Sequence, residues 1–370
     1  MDVHRKRILL YRIGSLGDTI IALPVFNKVR EVYPDADITL LTNRPVTSKA
    51  PAIESVLSSD YYFDRVINYP SGTRSPQVLL AVWKEIKAQK IDIVINLSTT
   101  RILKDLRLTK LAVLRDNLFF RSAGISKLIG FPTITADYEL TIDPKTGHFE
   151  WEAARLARRL KTLGPIDLES DFYWDMHFNS EENLLASAAL KKCIPGKPII
   201  AASVGTKRQS NDWENDNWSS FFKRLKLQYP DWQLVMVGSP EEADRSNKCI
   251  EAWGGAGVNL CGETSPRVSG AVLQKARIFI GHDSGPMHLA AAVGVPIVAI
   301  YSARNFPGQW YPRDNFNKII YHKTDCAGCG LEVCTVQQKK CILSITVNEV
   351  LNAVTETLNN TKADYSLYLQ

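Results

Sequence analysis

The 370-residue chain predicts an α/β protein built from two doubly wound domains. Three observations carry this expectation. Apolar runs alternate with helical segments along the first hundred residues. The alternation restarts after the breaker-rich stretch Ile194-Pro195-Gly196-Lys197-Pro198. Strands then run straight into glycine-containing turns that open helices, most clearly at Gly281-His282-Asp283-Ser284-Gly285-Pro286. Strands separated by helices argue for parallel sheets covered on both faces, and such sheets bind ligands at the carboxyl ends of their strands. The expected division is an N-terminal domain over 1–175, a linker over 176–197, a second domain over 198–345 and a C-terminal helix and tail over 346–370. A cleft is expected between the two domains.

In the first domain, residues 7–13 read as a strand and 19–33 as mostly helix, ending at Tyr33-Pro34-Asp35. Pro24 removes a helical hydrogen bond, so 18–23 is expected to be distorted or a separate turn. Strands follow at 37–42, 66–69 and 91–97, with a helix over 77–89. Residues 146–175 open with a helix and continue as a polar segment. In the second domain, 199–203, 232–237, 276–280 and 295–301 read as strands. Residues 217–228 and 241–253 read as helices, and Ser265-Pro266 opens another. Ser284 is placed to cap a short helix that tolerates Pro286 in its first turn and stops at Gly294. A last helix covers about 347–358.

The composition, 45% hydrophobic and 23% charged, is that of an ordinary soluble chain. A net charge of +6 suits an anionic ligand or surface but is too weak to imply nucleic acid, for which no motif is present. The apolar run near the N-terminus is broken by Arg12 and has no small-residue cleavage site, so it is not a signal peptide. The longest apolar stretch, around 289–301, holds Gly294 and Pro296 and falls short of a membrane span. A cytoplasmic protein is expected, with peripheral contact at the inner membrane surface.

Chemistry concentrates at strand ends. The first strand runs into Gly14-Ser15-Leu16-Gly17-Asp18-Thr19. Its glycine spacing is not the dinucleotide fingerprint. Asp18 reads either as a helix cap or as a general base. At the matching position of the second domain stand Gly205, Thr206, Lys207 and Arg208: a solvated basic loop, or donors and cations for phosphate. Glu241 and Glu242 follow the next strand, where a carboxylate could accept from ribose hydroxyls or simply favour a helix start. Thr264 lies in a further turn. The turn at 283–288 offers free backbone N–H groups and the positive end of a helix dipole, a ready phosphate site, though it could equally be an ordinary strand–helix unit.

Together, Arg12-Ile-Gly14-Ser-Leu-Gly17-Asp18 with Pro24, and Asp283-Ser284-Gly285-Pro286-Met287-His288 through Gly294-Val-Pro296, resemble glycosyltransferase family 9, the lipopolysaccharide heptosyltransferases. The resemblance covers about residues 5–45 and 198–305. It implies a GT-B fold, with a nucleotide-sugar donor held mainly by the second domain, and an inverting transfer that needs no metal or other catalytic cofactor. It places the base on Asp18 and the diphosphate on Asp283, Ser284, Gly285, Met287 and His288. The ribose falls near Glu241 or Glu242, and the nucleobase near Thr264. Gly205, Thr206, Lys207 and Arg208 complete the donor site, while Gly14, Ser15 and Gly17 line the acceptor side. One departure is visible: Asn211 stands where the family often carries a lysine, two residues before Trp213, and Lys207 or Arg208 would supply the missing charge.

Residues 101–127 interleave Arg101, Lys104, Arg107, Lys110, Arg115, Arg121 and Lys127 with leucines and phenylalanines. The segment reads as a solvated amphipathic helix, or as a patch that docks a phosphorylated, lipid-linked acceptor, with Arg107 and Lys110 at its centre. The spacing Cys326-x2-Cys329-x4-Cys334-x6-Cys341 suits a structural zinc or iron site, or else free thiols in a packed knot. The leading expectation is an enzyme that moves a sugar, likely to be heptose from ADP-heptose, onto a lipopolysaccharide core or related glycan. The alternatives are a GT-B enzyme of another class, an epimerase or a transferase using a GDP- or UDP-sugar, and a non-catalytic binding protein of the same fold.

Overall fold

The computed structural model describes residues 5–44, 51–58, 60–70, 72–98, 106–139, 141–313 and 317–367. The chain forms two compact units that meet in sequence between His177 and Phe178.

The first unit is built on five parallel strands: β1 (Arg7–Tyr11), β2 (Asp37–Asn43), β3 (Arg65–Tyr69), β4 (Ile93–Asn96) and β5 (Lys127–Ile129). Their order is β3-β2-β1-β4-β5, with Ile8 in register with Ile38 on one side and Ile93 on the other. The central strands are buried along nearly their whole length, as a sheet covered on both faces requires. Between β1 and β2 stand α1 (Leu16–Ile20) and α2 (Leu23–Val32), separated at Ile21-Ala22. Pro24 sits in the first turn of α2, where its missing N–H costs nothing, so the expected break is present. α3 (Pro76–Ala88) and α4 (Leu106–Ser122) pack Val82, Ile86 and Phe120 onto Leu9, Tyr11 and Val94. The short helices α5 (Thr135–Tyr138), α6 (Glu152–Arg159) and α7 (Asp171–Trp174) complete the unit, the last two against α2.

The second unit opens with α8 (Ser180–Ala189), capped reciprocally by Asn179 and Glu182 at 2.8 and 2.9 Å. Its sheet contains β6 (Ile199–Ser203), β7 (Gln233–Met236), β8 (Gly257–Asn259), β9 (Ile278–His282), β10 (Ile297–Tyr301) and β11 (Lys318–Tyr321). The order is β11-β10-β9-β6-β7-β8, all parallel. The helices are α9 (Asn215–Gln228), α10 (Ala243–Trp253), α11 (Pro266–Leu273), α12 (Gly285–Ala292), α13 (Lys340–Leu343) and α14 (Val347–Leu367). Ser265 caps α11, accepting from the Val268 N–H at 3.2 Å.

Two segments expected to stand apart belong to this unit. α8 falls in the expected linker, yet it packs on α11 and Glu182 pairs with Arg267, at 2.9 Å from Nη2. α14 falls in the expected tail, yet Val350, Leu351 and Val354 are buried with Trp213, Trp218 and Phe221 in the main core.

Candidate active site at the strand ends

In each sheet the strand order reverses beside the first strand of the unit, between β1 and β4 and between β6 and β9. At such a switch point the outgoing loops diverge and leave a crevice at the carboxyl ends. The two motifs singled out from the sequence leave their sheets at these points.

In the first unit, Gly14 is required by close approach: a Cβ there would lie 2.5 Å from Cβ of Asp18. Asp18 Oδ2 accepts from both the N–H and the hydroxyl of Ser15, each at 2.7 Å. The helix-start role is therefore real, with Ser15 at the cap and Asp18 three residues on. It uses one carboxylate oxygen. Among the described residues, Oδ1 has no hydrogen bond and can serve as a proton acceptor. The loop is fixed from beneath by Arg12, fully buried, whose guanidinium donates to the carbonyls of Asp18 and Leu97. Arg159 does similar work at the ends of β4 and β5, donating to Gly130 O and Ser98 O, both at 2.8 Å. Burial first, then neighbouring Arg155, lowers the Arg159 pKa to about 10. Arg155 pairs with buried Glu152 at 3.6 Å and donates to Asp137 O at 2.6 Å. Arg12 and Arg159 cap carbonyls left open where parallel strands end; Arg12 belongs to the N-terminal motif, whereas no sequence pattern singles out Arg155 or Arg159.

In the second unit, a Cβ on Gly205 would fall 1.8 Å from Cδ of Glu242, so the structure brings these two predicted residues into direct contact. Glu242 accepts from the Ser239 N–H at 3.1 Å, and burial raises its pKa. Glu241 is exposed, as is Lys207. Thr206 Oγ1 accepts from the Arg208 N–H at 3.3 Å, and Arg208 lies 3.7 Å from Glu332. Thr264 shares a hydrogen bond with Ser269 at 2.8 Å. Asp283 Oδ2 accepts from Asn305 at 3.0 Å, while its other oxygen lies 4.0 Å from Nε2 of His288. Ser284 occupies the cap position of α12, but its hydroxyl oxygen is buried and makes no hydrogen bond. The Met287 side chain is fully buried, so what this residue can offer a ligand is its backbone N–H, in the first turn of α12.

Three residues here escaped the sequence reading. His282, the last residue of β9, is completely buried and accepts from the Trp213 N–H through Nε2 at 3.1 Å. Its proton therefore sits on Nδ1, 3.4 Å from Gly205 O. Burial lowers its pKa to about 4, so it is neutral. Arg304 donates to Leu331 O at 2.8 Å, Gly330 O at 2.7 Å and Asn305 Oδ1 at 2.8 Å. Asn305 thereby links it to Asp283. Their signal was available only as polar residues at the ends of apolar strands. Asn211, the departure from the family pattern, is buried and accepts from Ser302 at 2.5 Å, so it ties loops together and carries no charge to a ligand.

Among the described residues, no group of three or more His, Cys, Asp or Glu side chains is placed to hold a metal ion, while Cys326, Cys329 and Cys334 all lie near enough to Cys341 to act on its thiol. All four are free thiols, and Cys334 Sγ accepts from the Lys339 N–H at 3.2 Å. Their segment braces the donor-side loops: Glu332 O accepts from Ser210 N at 3.1 Å, and the Gly328 N–H donates to Ala303 O at 2.7 Å. Arg107 and Lys110 are exposed on α4, with Lys110 over the Tyr138 ring at 5.7 Å. Arg101 and Lys104 lie outside the described residues.

Two parallel sheets of matching strand order, each with its motif at the switch point, are the architecture of the GT-B fold. The particular family follows from comparison. The model for glycosyltransferase family 9 (heptosyltransferase) matches residues 79–340, and the chain belongs to this family and is a glycosyltransferase. It is 26% identical over 300 residues to lipopolysaccharide heptosyltransferase 3 of Escherichia coli strain K12, across 78% of this chain and 80% of that one. Among solved structures it resembles the family 9 glycosyl transferase of Veillonella parvula (TM-score 0.71, 20% identity, 97% of this chain and 99% of that one). It also resembles E. coli heptosyltransferase WaaC with ADP (TM-score 0.57, 17% identity, 95% and 99%).

Proposed function

We propose that the protein transfers heptose, with inversion, from ADP-heptose to a lipopolysaccharide core acceptor. The observation that carries the reading is Asp18, held at the β1 end by Ser15 and Arg12 with one carboxylate oxygen unused, in a chain of the heptosyltransferase family. The acceptor hydroxyl gives its proton to Asp18 Oδ1 as its oxygen bonds to the anomeric carbon. The bond from that carbon to the diphosphate oxygen breaks on the opposite face, and its electron pair leaves with ADP. The charge that gathers on the diphosphate is met by the first-turn N–H groups of α12, the Ser284 hydroxyl and the cations Lys207 and Arg208. Asp283 and His288 shape this turn, Glu241 and Glu242 lie toward the ribose, and Thr264 toward the adenine. Gly14, Ser15 and Gly17 line the acceptor side, with Arg107 and Lys110 reaching acceptor phosphates.

No metal or other cofactor enters these steps, so activity should persist in excess chelator. Among the described residues no helix is long and apolar enough to cross a membrane. The reading places the protein in the cytoplasm, in peripheral contact with the inner membrane that carries the acceptor. The test is transfer with Asp18→Asn: turnover should fall about 10³-fold, within the range of a lost general base, while ADP binds as before. Full turnover in the variant overturns the assignment.

A further inference from the structure

α3 and α4 cover the same face of the first sheet, joined by the Trp83 Nε1 hydrogen bond to Ser122 Oγ at 3.0 Å. The buried side of α4 is accounted for by Thr109 and Phe120. Its opposite side carries Leu108, Leu111, Leu114 and Leu118, each more than half exposed. Their spacing of three, three and four residues puts them in one row along the helix. Beside α4, a shallow groove is lined by Pro76, Leu79, Leu80, Trp83 and Phe119, and Leu79 and Leu80 are themselves exposed at 37% and 50%. Scattered exposed leucines need no explanation, but a contiguous row with an adjoining apolar groove does.

The charges on the two helices select the occupant. Lys84, Lys87, Arg107, Lys110, Arg115 and Arg121 stand against only Glu85 and Asp116, and Asp116 is already paired with Arg115 at 2.7 Å. A second copy of the chain would bring these cations against one another. An anionic lipid surface meets them with opposite charge and takes the leucines into its interface, the combination that characterises helices lying in the plane of a membrane. We infer that the α3–α4 face is the surface by which the protein docks on an anionic bilayer, with the leucine row of α4 inserted among the acyl chains and the cations at the headgroups.

The inference rests on the proposed lipid-linked acceptor, and its test separates the two. Flotation with vesicles of phosphatidylethanolamine and phosphatidylglycerol should recover the wild-type protein, and vesicles of phosphatidylcholine alone should not. The exposed pair Leu111→Ser with Leu118→Ser, and separately Leu80→Ser, should lower anionic-vesicle binding, the double variant by at least about tenfold. Wild-type affinity in the double variant, or equal wild-type binding to both vesicle types, overturns the inference. So does a wild-type dimer that the leucine variants convert to monomer, because the face then belongs to a second copy. Transfer to a delipidated, water-soluble core acceptor should be unchanged in these variants. Its absence from the wild-type protein would count against the proposed reaction and leave the vesicle result standing.

Discussion

The two sheets end differently at their switch points. In the first unit the strand-end carbonyls are occupied by the protein's own arginines, Arg12 and Arg159, and what remains on offer is an anion, Asp18. In the second unit the loops rest on neutral His282, Asn211 and Ser302 beside the carbonyl-capping Arg304, and what remains on offer are donors: the start of α12 and the unpartnered Ser284 hydroxyl. On the proposed reading, the same strand order serves a proton acceptor in one unit and an anion cradle in the other. The difference lies in which groups each unit satisfies internally. Arginine caps hold a carboxylate-bearing loop still without consuming the carboxylate.

Glycine substitutions break this comparison most directly. Gly14→Ala forces a Cβ against Asp18, and Gly205→Ala forces one against Glu242. Backbone and side chains must shift in each case, at about 1–3 kcal/mol for overpacking of this kind. If the units divide the work as proposed, Gly14→Ala lowers turnover by roughly 10²-fold with ADP affinity intact, since small misplacement of a reacting group is costly. Gly205→Ala raises the ADP dissociation constant instead. Calorimetry of ADP binding alongside steady-state turnover reads both effects, and a loss of ADP affinity in Gly14→Ala would dissolve the division.

Acid sharpens the contrast further. His282 titrates near its ordinary 6.5 when unfolded, but burial brings it to about 4 in the folded protein. The unfolded state therefore binds the proton first as pH falls. The stability tied to neutral His282 is complete above about pH 6.5 and is lost progressively down to about pH 4, a few kcal/mol in all. Thermal melts between pH 7 and 4 should show the second unit losing stability over this window, and His282→Gln should flatten the dependence while lowering stability at pH 7. The first unit's buried arginines, Arg12, Arg155 and Arg159, stay charged throughout and contribute no such slope.

Much of this architecture was legible in the chain. The run 199–203 matches its strand to the residue, the other central strands overlap their expected ranges to within two residues at each end, and Pro24 lies in the first turn of α2, just past the break from α1. The edge strands β5, β8 and β11 were missed because three or four residues cannot display a period. The motif residues were found because glycine and aspartate at strand ends stand out locally. Arg12, Arg159, His282 and Arg304 do their work across long sequence separations, Arg159 reaching back to Ser98 and Arg304 forward to Leu331, and no local pattern encodes such partners. The cysteine segment has the same limit: thiol spacing fixes neighbours in sequence, whereas its contacts with the loops at 208–211 and 302–305 are made across long separations.

Arg304 offers the finest probe of the second unit's loops. It lies close enough to Asp283 and Arg208 to feel both charges, yet its donors are spent on Gly330, Leu331 and Asn305. It therefore acts by position: it fixes Asn305, which in turn orients Asp283 at the turn proposed to hold the diphosphate. Arg304→Lys keeps the charge and loses the planar fork that makes three directed bonds. If orientation is what matters, this substitution should weaken ADP binding by roughly fivefold, the equivalent of about 1 kcal/mol for a lost hydrogen-bond link. Asn305→Ala should weaken it to a similar degree, and the double variant should add little to either single one, as expected for two residues in one chain of contacts. If Arg304 instead contributed by charge, the lysine variant would bind ADP normally, and the two substitutions would add.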